Sequence, residues 1–281
     1  MALPAFIGFA VFFLAPAAMS LLYSFTDWNM YKQEISFIGL DNFKKLFNDA
    51  KIIAVIEQTI RYALLMTVIQ NALAILLAVA LHRKLFMAGL LKTLLFLPAV
   101  LSIMVVGYLF KYIMTSADSG LLNSIIVFFG GKPLNWLGNE KLALYSVLIT
   151  QVWQWTGWAM VIYIANLKSI DPVLYEAVKI DGATPGQVFR RITLPLLYPA
   201  VSFNVLMSLI GGLKMFDAVW AMTSGGPGIA SDTIMTTIIR TGTNRGRYAY
   251  VCAFGVIFLL IVFLISRLLT FIFHKWEAKV T

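Results

Sequence analysis

The chain has 281 residues, of which 60% are apolar or aromatic and only 12% charged, with a mean hydropathy of +0.84 and a net charge of +9. A soluble domain carries about 25% charged residues, so this balance excludes a disordered chain, a disulfide scaffold and a water-soluble enzyme, and leaves a polytopic membrane protein. The excess of Lys and Arg fits residues gathered at membrane ends rather than a nucleic-acid surface. Cys252 has no second cysteine to pair with, and with only His82 and His274 beside it no His/Cys metal cluster is available.

Spans can be counted from charge. An ionised side chain at the centre of a membrane helix costs about 2.5–3.5 kcal/mol, and about 20 residues cross the hydrocarbon. Six windows free of Asp, Glu, Lys and Arg stand out at 1–26, 62–81, 93–110, 142–167, 192–213 and 248–266. They are continuous rather than alternating, which argues against a β-barrel. The expectation is an all-α membrane protein, one domain over 1–281, with six transmembrane helices near 4–25, 62–81, 93–113, 142–167, 194–213 and 248–268. The first window could instead be a cleaved signal peptide, since small residues run from Ala15 to Ser20, but it lacks a basic leader and its apolar run is long. The lack of any charge before Asp27 reads as a trimmed N-terminus.

Placing both termini inside makes 82–92, 168–191 and 267–281 cytoplasmic, with ten Lys/Arg in 50 residues, against twelve in 100 residues outside. Density favours that orientation by about 1.7-fold, and the rule applies to short loops. His82, Arg83 and Lys84 have no nearby acid, whereas the outer segment 27–61 pairs its bases with Asp27, Glu34, Asp41, Asp49 and Glu57.

The fourth window carries Gln151, Trp153, Gln154, Trp155, Trp158, Tyr163 and Asn166, and the i, i+4, i+7 spacing puts Gln151, Trp155 and Trp158 on one face. Amides beside indole faces suit a sugar, whose hydroxyls need partners and whose C–H faces stack on rings. They equally suit interface anchoring and helix–helix hydrogen bonding, and both readings stand. In the fifth window Asn204, Ser208, Gly211 and Gly212 form one stripe; small residues there indicate close packing, and Asn204 is the best single candidate for a substrate contact. The stretch from Lys214 to Met222 is apolar enough to re-enter the membrane, which would place Lys214, Asp217 and Trp220 near the top of a pathway. Gly225-Gly226-Pro227-Gly228 is a turn that could face a partner or the solute.

Between the fourth and fifth windows, 168–195 forms a separate element. Asp171 followed by Pro172 is an N-cap with proline at the first helical position. The helix should run to about Asp181, Gly182 should supply a left-handed turn, Thr184-Pro185-Gly186-Gln187 should start a second short helix as a capping box, and Pro195 should mark the junction with the fifth span. Its apolar residues (Val173, Leu174, Ala177, Val178, Val188, Phe189, Ile192) fit either an interfacial hairpin on lipid or a docking knob for a soluble partner.

Glu176-Ala177-Val178, Gly182 three residues on, and Ile192-x-Leu194-Pro195 after nine more resemble the EAA motif of permease subunits of bacterial ABC importers, with Val178 in place of the third Ala. Ser24-Phe25-Thr26-Asp27-Trp28-Asn29, Phe37 to Phe43, Phe96-Leu97-Pro98, Gly120 to Asn123, Asn135 to Gly138, Phe216-Asp217 and Thr223 to Gly228 resemble the maltose and glycerol-3-phosphate type of these permeases. The resemblance implies a carbohydrate importer of the bacterial inner membrane, with a second permease, two ATPase subunits and an extracytoplasmic solute-binding protein. It implies that Glu176, Ala177, Gly182, Arg190, Ile192, Leu194 and Pro195 belong to the element that couples to the ATPase. Glycerol-3-phosphate or a glycerophosphodiester is the alternative cargo.

No Gly-x4-Gly-Lys-Ser/Thr occurs, so ATP and Mg²⁺ are expected on the partner ATPases and no cofactor or metal on this chain. An ion-coupled carrier is the alternative from another class, but such carriers keep ionisable groups within spans and the six windows hold none. An intramembrane protease fails for the same reason, because both histidines and every aspartate lie outside the windows.

Overall fold

The computed structural model describes residues 3–31, 34–82, 86–116 and 120–277, apart from the side chains of Lys179 and Glu277. Arg83 and Lys84, used above for orientation, lie outside the described residues. The regular structure among the described residues is all helix, apart from an isolated antiparallel bridge between Thr26 and Phe37. Helices α1 (Leu3–Tyr23), α2 (Asp41–Phe47), α3 (Ala50–His82), α4 (Ala88–Val100), α5 (Ile103–Ile113), α6 (Leu121–Phe128) and α7 (Ala143–Ser169) are followed by α8 (Pro172–Ile180), α9 (Pro185–Leu196), α10 (Tyr198–Leu213), α11 (Asp217–Met222), α12 (Ile234–Arg245) and α13 (Tyr248–Glu277).

Among the described residues three helices, α1, α3 and α13, are each long and apolar enough to cross a membrane, and two bent pairs would raise that number to five. The central helix α7 is long enough, at 27 residues, but its Gln and Trp residues lower its apolarity. Because more than half of its residues are buried in protein, it has little need of a lipid-compatible surface. At the other extreme, the most apolar stretch of α1 buries nothing within the chain, a surface suited to hydrocarbon or to another apolar chain.

Two expected spans differ in shape from their hydropathy windows. The window 93–113 is not one straight helix: α4 and α5 meet at 99°. Pro98 opens a final tight turn, and Leu101 and Ser102 then adopt extended backbone, which ends one helix and starts the next. The window 194–213 is likewise split. The junction expected at Pro195 falls two residues later: the second helix of the 168–195 element runs to Leu196, and α10 leaves it at 67°. Pro195 and Pro199 remove two backbone donors around this bend. Just before Pro195 the helix widens to a π-turn over Phe189–Thr193, with the Leu194 N–H bonded five residues back to Phe189. Widening relieves the clash between the proline ring and the carbonyl four residues earlier. The same device precedes Pro16, at Ala10–Leu14. Helix α3 also extends well beyond its window, starting at Ala50; hydropathy registers the apolar part of a helix, not the charged turns that carry Lys51, Glu57 and Arg61.

Helices α3, α7 and α10 form the centre. Each carries apolar packing at both ends and polar side chains in the middle. At one end Ile52, Val55 and Ala63 of α3 pack with Leu209 and Leu213 of α10 and Phe254 of α13. Beside them Tyr62 and Met66 meet Val147 and Val152 of α7. At the other end Ala74, Ala78 and Leu81 pack with Ala159, Tyr163 and Leu167 of α7 and with Leu197 and Ala200. Close crossings depend on missing side chains. Gly212 lies where a Cβ would come within 2.8 Å of the Ala63 Cα, and a Cβ on Gly157 would overlap the Leu95 carbonyl oxygen of α4.

At the Ala50 end of α3, each of three connections is held by one buried polar side chain. Asn42 donates to the carbonyls of Ser24 (2.9 Å) and Thr26 (2.7 Å), tying the first connection to α2. Asn123 accepts from the Leu134 N–H and the Trp136 indole, both at 3.0 Å. Asp232 forms a two-pronged ion pair with Arg240, both contacts 2.9 Å, and accepts from the Thr236 hydroxyl at 2.6 Å. Arg240 also donates to the Ser224 carbonyl at 2.7 Å, which folds the glycine-rich turn over the pair. Gly225 has φ of +87°, and a Cβ there would overlap Arg240. Burial pushes the Asp232 carboxyl above its usual range, offset by the Thr236 hydroxyl and then by the Arg240 charge.

Two outcomes follow. Gly157→Ala should destabilise the detergent-solubilised protein by about 1–3 kcal/mol, because backbone must move to admit the methyl group. Gly186→Ala, where a Cβ meets nothing within 4 Å, should leave the melting temperature unchanged in the same thermal-unfolding assay. Arg240→Gln strips a buried carboxylate of its partner and should cost about 3–5 kcal/mol, partly restored by adding Asp232→Asn. Since the Asp232 pKa is raised, the folded form holds its proton to higher pH than the unfolded one. The single variant should therefore lose stability as pH rises above the usual carboxylate range, and the double variant should not.

Candidate functional site

Two regions bring the sequence-predicted residues together. The first is the α8–α9 hairpin, at the His82 end of α3. Asp171 caps α8 by accepting the Val173 N–H at 2.9 Å. Gly182 makes the turn with φ of +73° in open space. Gln187 closes one half of the capping box, its Oε1 accepting from the Thr184 N–H at 2.8 Å and the Thr184 hydroxyl at 3.0 Å. The arms are joined through the hydroxyls of Tyr175 and Thr193, 3.3 Å apart.

Glu176, Ala177, Arg190 and Leu194 are exposed, and Ile192 and Pro195 half-buried. Large apolar side chains also face outward: Val173, Leu174 and Ile180, the last 86% exposed. Beneath the hairpin lies a groove of about 580 Å³ bounded by Val79, His82, Leu167, Tyr175 and Phe189. The inward side chain of α8 is thus Tyr175.

The second region is the polar middle of the bundle. A cavity of about 280 Å³ is lined by Met66 and Gln70 of α3, Ile103 of α5, Gln151, Trp155 and Trp158 of α7, Met207, Ser208 and Gly211 of α10, and Met215. The three residues expected on one face of the fourth window do share one wall. Their hydrogen bonds run in series: Trp155 Nε1 donates to Gln151 Oε1 (3.2 Å), Gln151 Nε2 to Gln154 Oε1 (3.2 Å), and Gln154 Nε2 to the Leu101 carbonyl (3.0 Å). That last acceptor lies at the break between α4 and α5. The indoles of Trp155 and Trp158 meet edge to face, 6.5 Å between centroids.

Behind Ser208 a second network joins the three central helices. The Tyr163 hydroxyl donates to Asn71 Oδ1 at 2.7 Å, and Asn71 Nδ2 donates to Ser208 Oγ at 2.9 Å. Asn204 lies one turn from Ser208, outside the cavity, donating to the Ala159 carbonyl at 3.3 Å. Lys214 and Asp217 also lie outside the lining; Lys214 is exposed at the end of α10, and Asp217 starts α11. Helix α11 is a six-residue helix packed on α5, where a Cβ on Gly107 would meet Ala221 at 2.7 Å.

Sequence reasoning missed Met66, Gln70 and Asn71. A signal was present: Gln70 and Asn71 are amides in the middle of an apolar window, and Tyr62, Met66 and Gln70 follow an i, i+4, i+8 stripe.

Comparison with known proteins agrees with this architecture. The chain is 32% identical over 277 residues to a probable starch degradation products transport system permease protein of Thermoanaerobacterium thermosulfurigenes, covering 98% of this chain and 93% of the relative. It is 35% identical over 239 residues to a lactose transport system permease protein of Rhizobium radiobacter, covering 84% and 78%. A chain of a bacterial alginate ABC transporter, solved in complex with an alginate pentasaccharide-bound periplasmic protein, superposes with a TM-score of 0.87 at 25% identity, covering 99% of this chain and 93% of that one. Residues 70–278 match the family described as the binding-protein-dependent transport system inner membrane component, and this chain, a membrane transport subunit, belongs to that family.

Proposed function

We propose that this chain is one permease subunit of an ATP-driven importer that moves a sugar or oligosaccharide into the bacterial cytoplasm. In this reading six helices cross the inner membrane, and both termini lie on the cytoplasmic side with the hairpin. The rings of Tyr198 and Trp276, stacked 6.4 Å apart, support that placement by setting the end of α13 beside the base of the hairpin. A second, homologous permease completes the pathway, because lipid cannot satisfy its polar groups. Two ATPase subunits hold ATP and Mg²⁺, and an extracytoplasmic binding protein delivers the solute. The chain itself breaks no covalent bond. Relatives named for starch products and for lactose support a carbohydrate cargo.

The observation that carries the reading is the exposed hairpin and its direct connection to the cavity. Val173, Leu174 and Ile180 offer a partner an apolar surface, with Glu176 beside them. The Tyr175–Thr193 contact ties the two arms together. Helix α9 joins α10 at Leu197 without a loop, and α10 supplies Met207 and Ser208 to the cavity. ATP-driven closure of the ATPases then swings the hairpin, turns α10 and opens the cavity outward; hydrolysis resets it. The solute pathway we propose begins at Lys214 and Asp217, passes Gln151, Trp155, Trp158 and Ser208, and leaves past Asn204.

Gly182→Val forces a β-branched residue into a left-handed conformation and should disorder the turn, whereas Gly182→Asn tolerates it. With membrane levels equal, Gly182→Val should lose both ATPase copurification and sugar uptake, and Gly182→Asn should keep both. Normal copurification and uptake in Gly182→Val would reduce the element to a lipid-facing hairpin. Separately, Gln151→Ala and Trp155→Ala should each lower uptake roughly fivefold or more, the worth of one lost hydrogen bond or stacking face, with ATPase copurification unchanged.

A further inference from the structure

The groove beneath the hairpin is walled by Val79 of α3, Leu167 of α7, Tyr175 of α8, and Val188 and Phe189 of α9, all apolar or aromatic. Its polar edge is basic. His82 ends α3 on the lining, and the charges that act on it are those of Lys92 of α4 and Lys168 of α7. Burial first, and then these two positive charges, push the His82 imidazole below its ordinary range. Among the described residues no Asp or Glu lines the groove, and Lys92 and Lys168 form no ion pair. Three helices therefore bring three basic groups to one apolar groove, with no carboxylate on its walls to balance them. Their depth is also defined. His82, Lys92 and Lys168 stand immediately outside the charge-free windows 62–81, 93–110 and 142–167, the level at which phospholipid phosphates lie. Val173, Leu174, Glu176 and Ile180, the side chains proposed to meet the ATPase, are exposed and do not line the groove, so the two surfaces are separate.

We propose that this groove binds an anionic phospholipid, with an acyl chain along Val79, Leu167, Tyr175, Val188 and Phe189 and the phosphate held by Lys92, Lys168 and His82. The inference rests on the import reading above for its leaflet alone, which the orientation proposed there makes the cytoplasmic one. Charge complementarity selects an anion, and apolar walls select one that carries a hydrocarbon chain. A zwitterionic lipid brings its own ammonium to the site, which opposes Lys92 and Lys168; phosphatidylglycerol does not. Basic pockets between spans at the cytoplasmic end hold anionic headgroups by this combination. An acyl chain also removes the walls from water, which a dissolved ion cannot do. The lipid is tied to the hairpin by its position. One chain touches α3, α7 and both arms, and so fills the space between the bundle and the element proposed to carry movement from the ATPases.

The test titrates the purified permease–ATPase complex with dioleoyl phosphatidylglycerol and dioleoyl phosphatidylcholine and reads bound lipid by native mass spectrometry. Phosphatidylglycerol should bind roughly tenfold more tightly than phosphatidylcholine. Lys92→Gln combined with Lys168→Gln should weaken phosphatidylglycerol binding roughly tenfold or more, the worth of two basic side chains at a membrane surface. Lys92→Arg with Lys168→Arg keeps both charges and should keep the lipid. Lys132→Gln with Lys141→Gln removes as much charge from exposed positions ahead of α7, at the other end of the bundle, and should also keep it. Inorganic phosphate, which has the charge but no chain, should not displace the lipid. ATPase copurification, unchanged in every variant, establishes that the complex is intact. Equal binding of the two lipids, unaltered binding in the Lys92→Gln, Lys168→Gln variant, an equal loss in the Lys132→Gln, Lys141→Gln variant, or displacement by inorganic phosphate would each overturn the proposal. Failure of the import reading is separate, appearing as loss of ATPase copurification in the unmodified protein, on which lipid binding is then still measured.

Discussion

The constraint on which this structure depends is the polar layer across the middle of an apolar bundle. Hydrocarbon offers no hydrogen-bond partners, so amides and hydroxyls at that depth must find them inside the protein or in a wet cavity. Asn71 meets the constraint by joining α3, α7 and α10 through Tyr163 and Ser208. Apolar clusters at either end hold the three helices at the spacing those short bonds require. Glycines at the crossings, Gly157 against Leu95 and Gly212 against Ala63, let the backbones approach.

Breaks in the helices serve the same layer. Where α4 gives way to α5, the extended backbone at Leu101 leaves a carbonyl without a helical donor, and Gln154 supplies one. The break is therefore bonded to the chain of side chains that ends at Trp155 on the cavity wall. At the second break, between α9 and α10, prolines displace backbone donors and a π-turn absorbs the strain. One break touches the cavity and the other joins it to the hairpin, so the bends lie where movement would have to pass between them.

The opposite end of the bundle is built by different means. Its connections contain most of the short motifs that resemble sugar permeases, and they are pinned by single buried groups: Asn42, Asn123 and the Asp232–Arg240 pair. The glycine-rich turn at 225–228, which as sequence could equally be a contact surface, is held down by Arg240. These motifs are corners of the fold first.

Local chemistry made much of this legible without coordinates. Charge-free windows located the apolar helices, because the penalty for an ionised side chain in hydrocarbon is a property of the residue alone. Asp171-Pro172, Gly182 and the Thr184–Gln187 pair defined the hairpin, because caps and left-handed turns are satisfied within a few residues. The 3.6-residue period put Gln151, Trp155 and Trp158 on one face. The straightness of a span was not legible at 93–113 or 194–213, since hydropathy is indifferent to bends. Nor could periodicity distinguish the neighbours Gln70 and Asn71, one lining the cavity and the other bonding two helices. Which polar groups are satisfied depends on partners such as Tyr163 and Ser208, 92 and 137 residues along the chain from Asn71, and only tertiary packing brings them there.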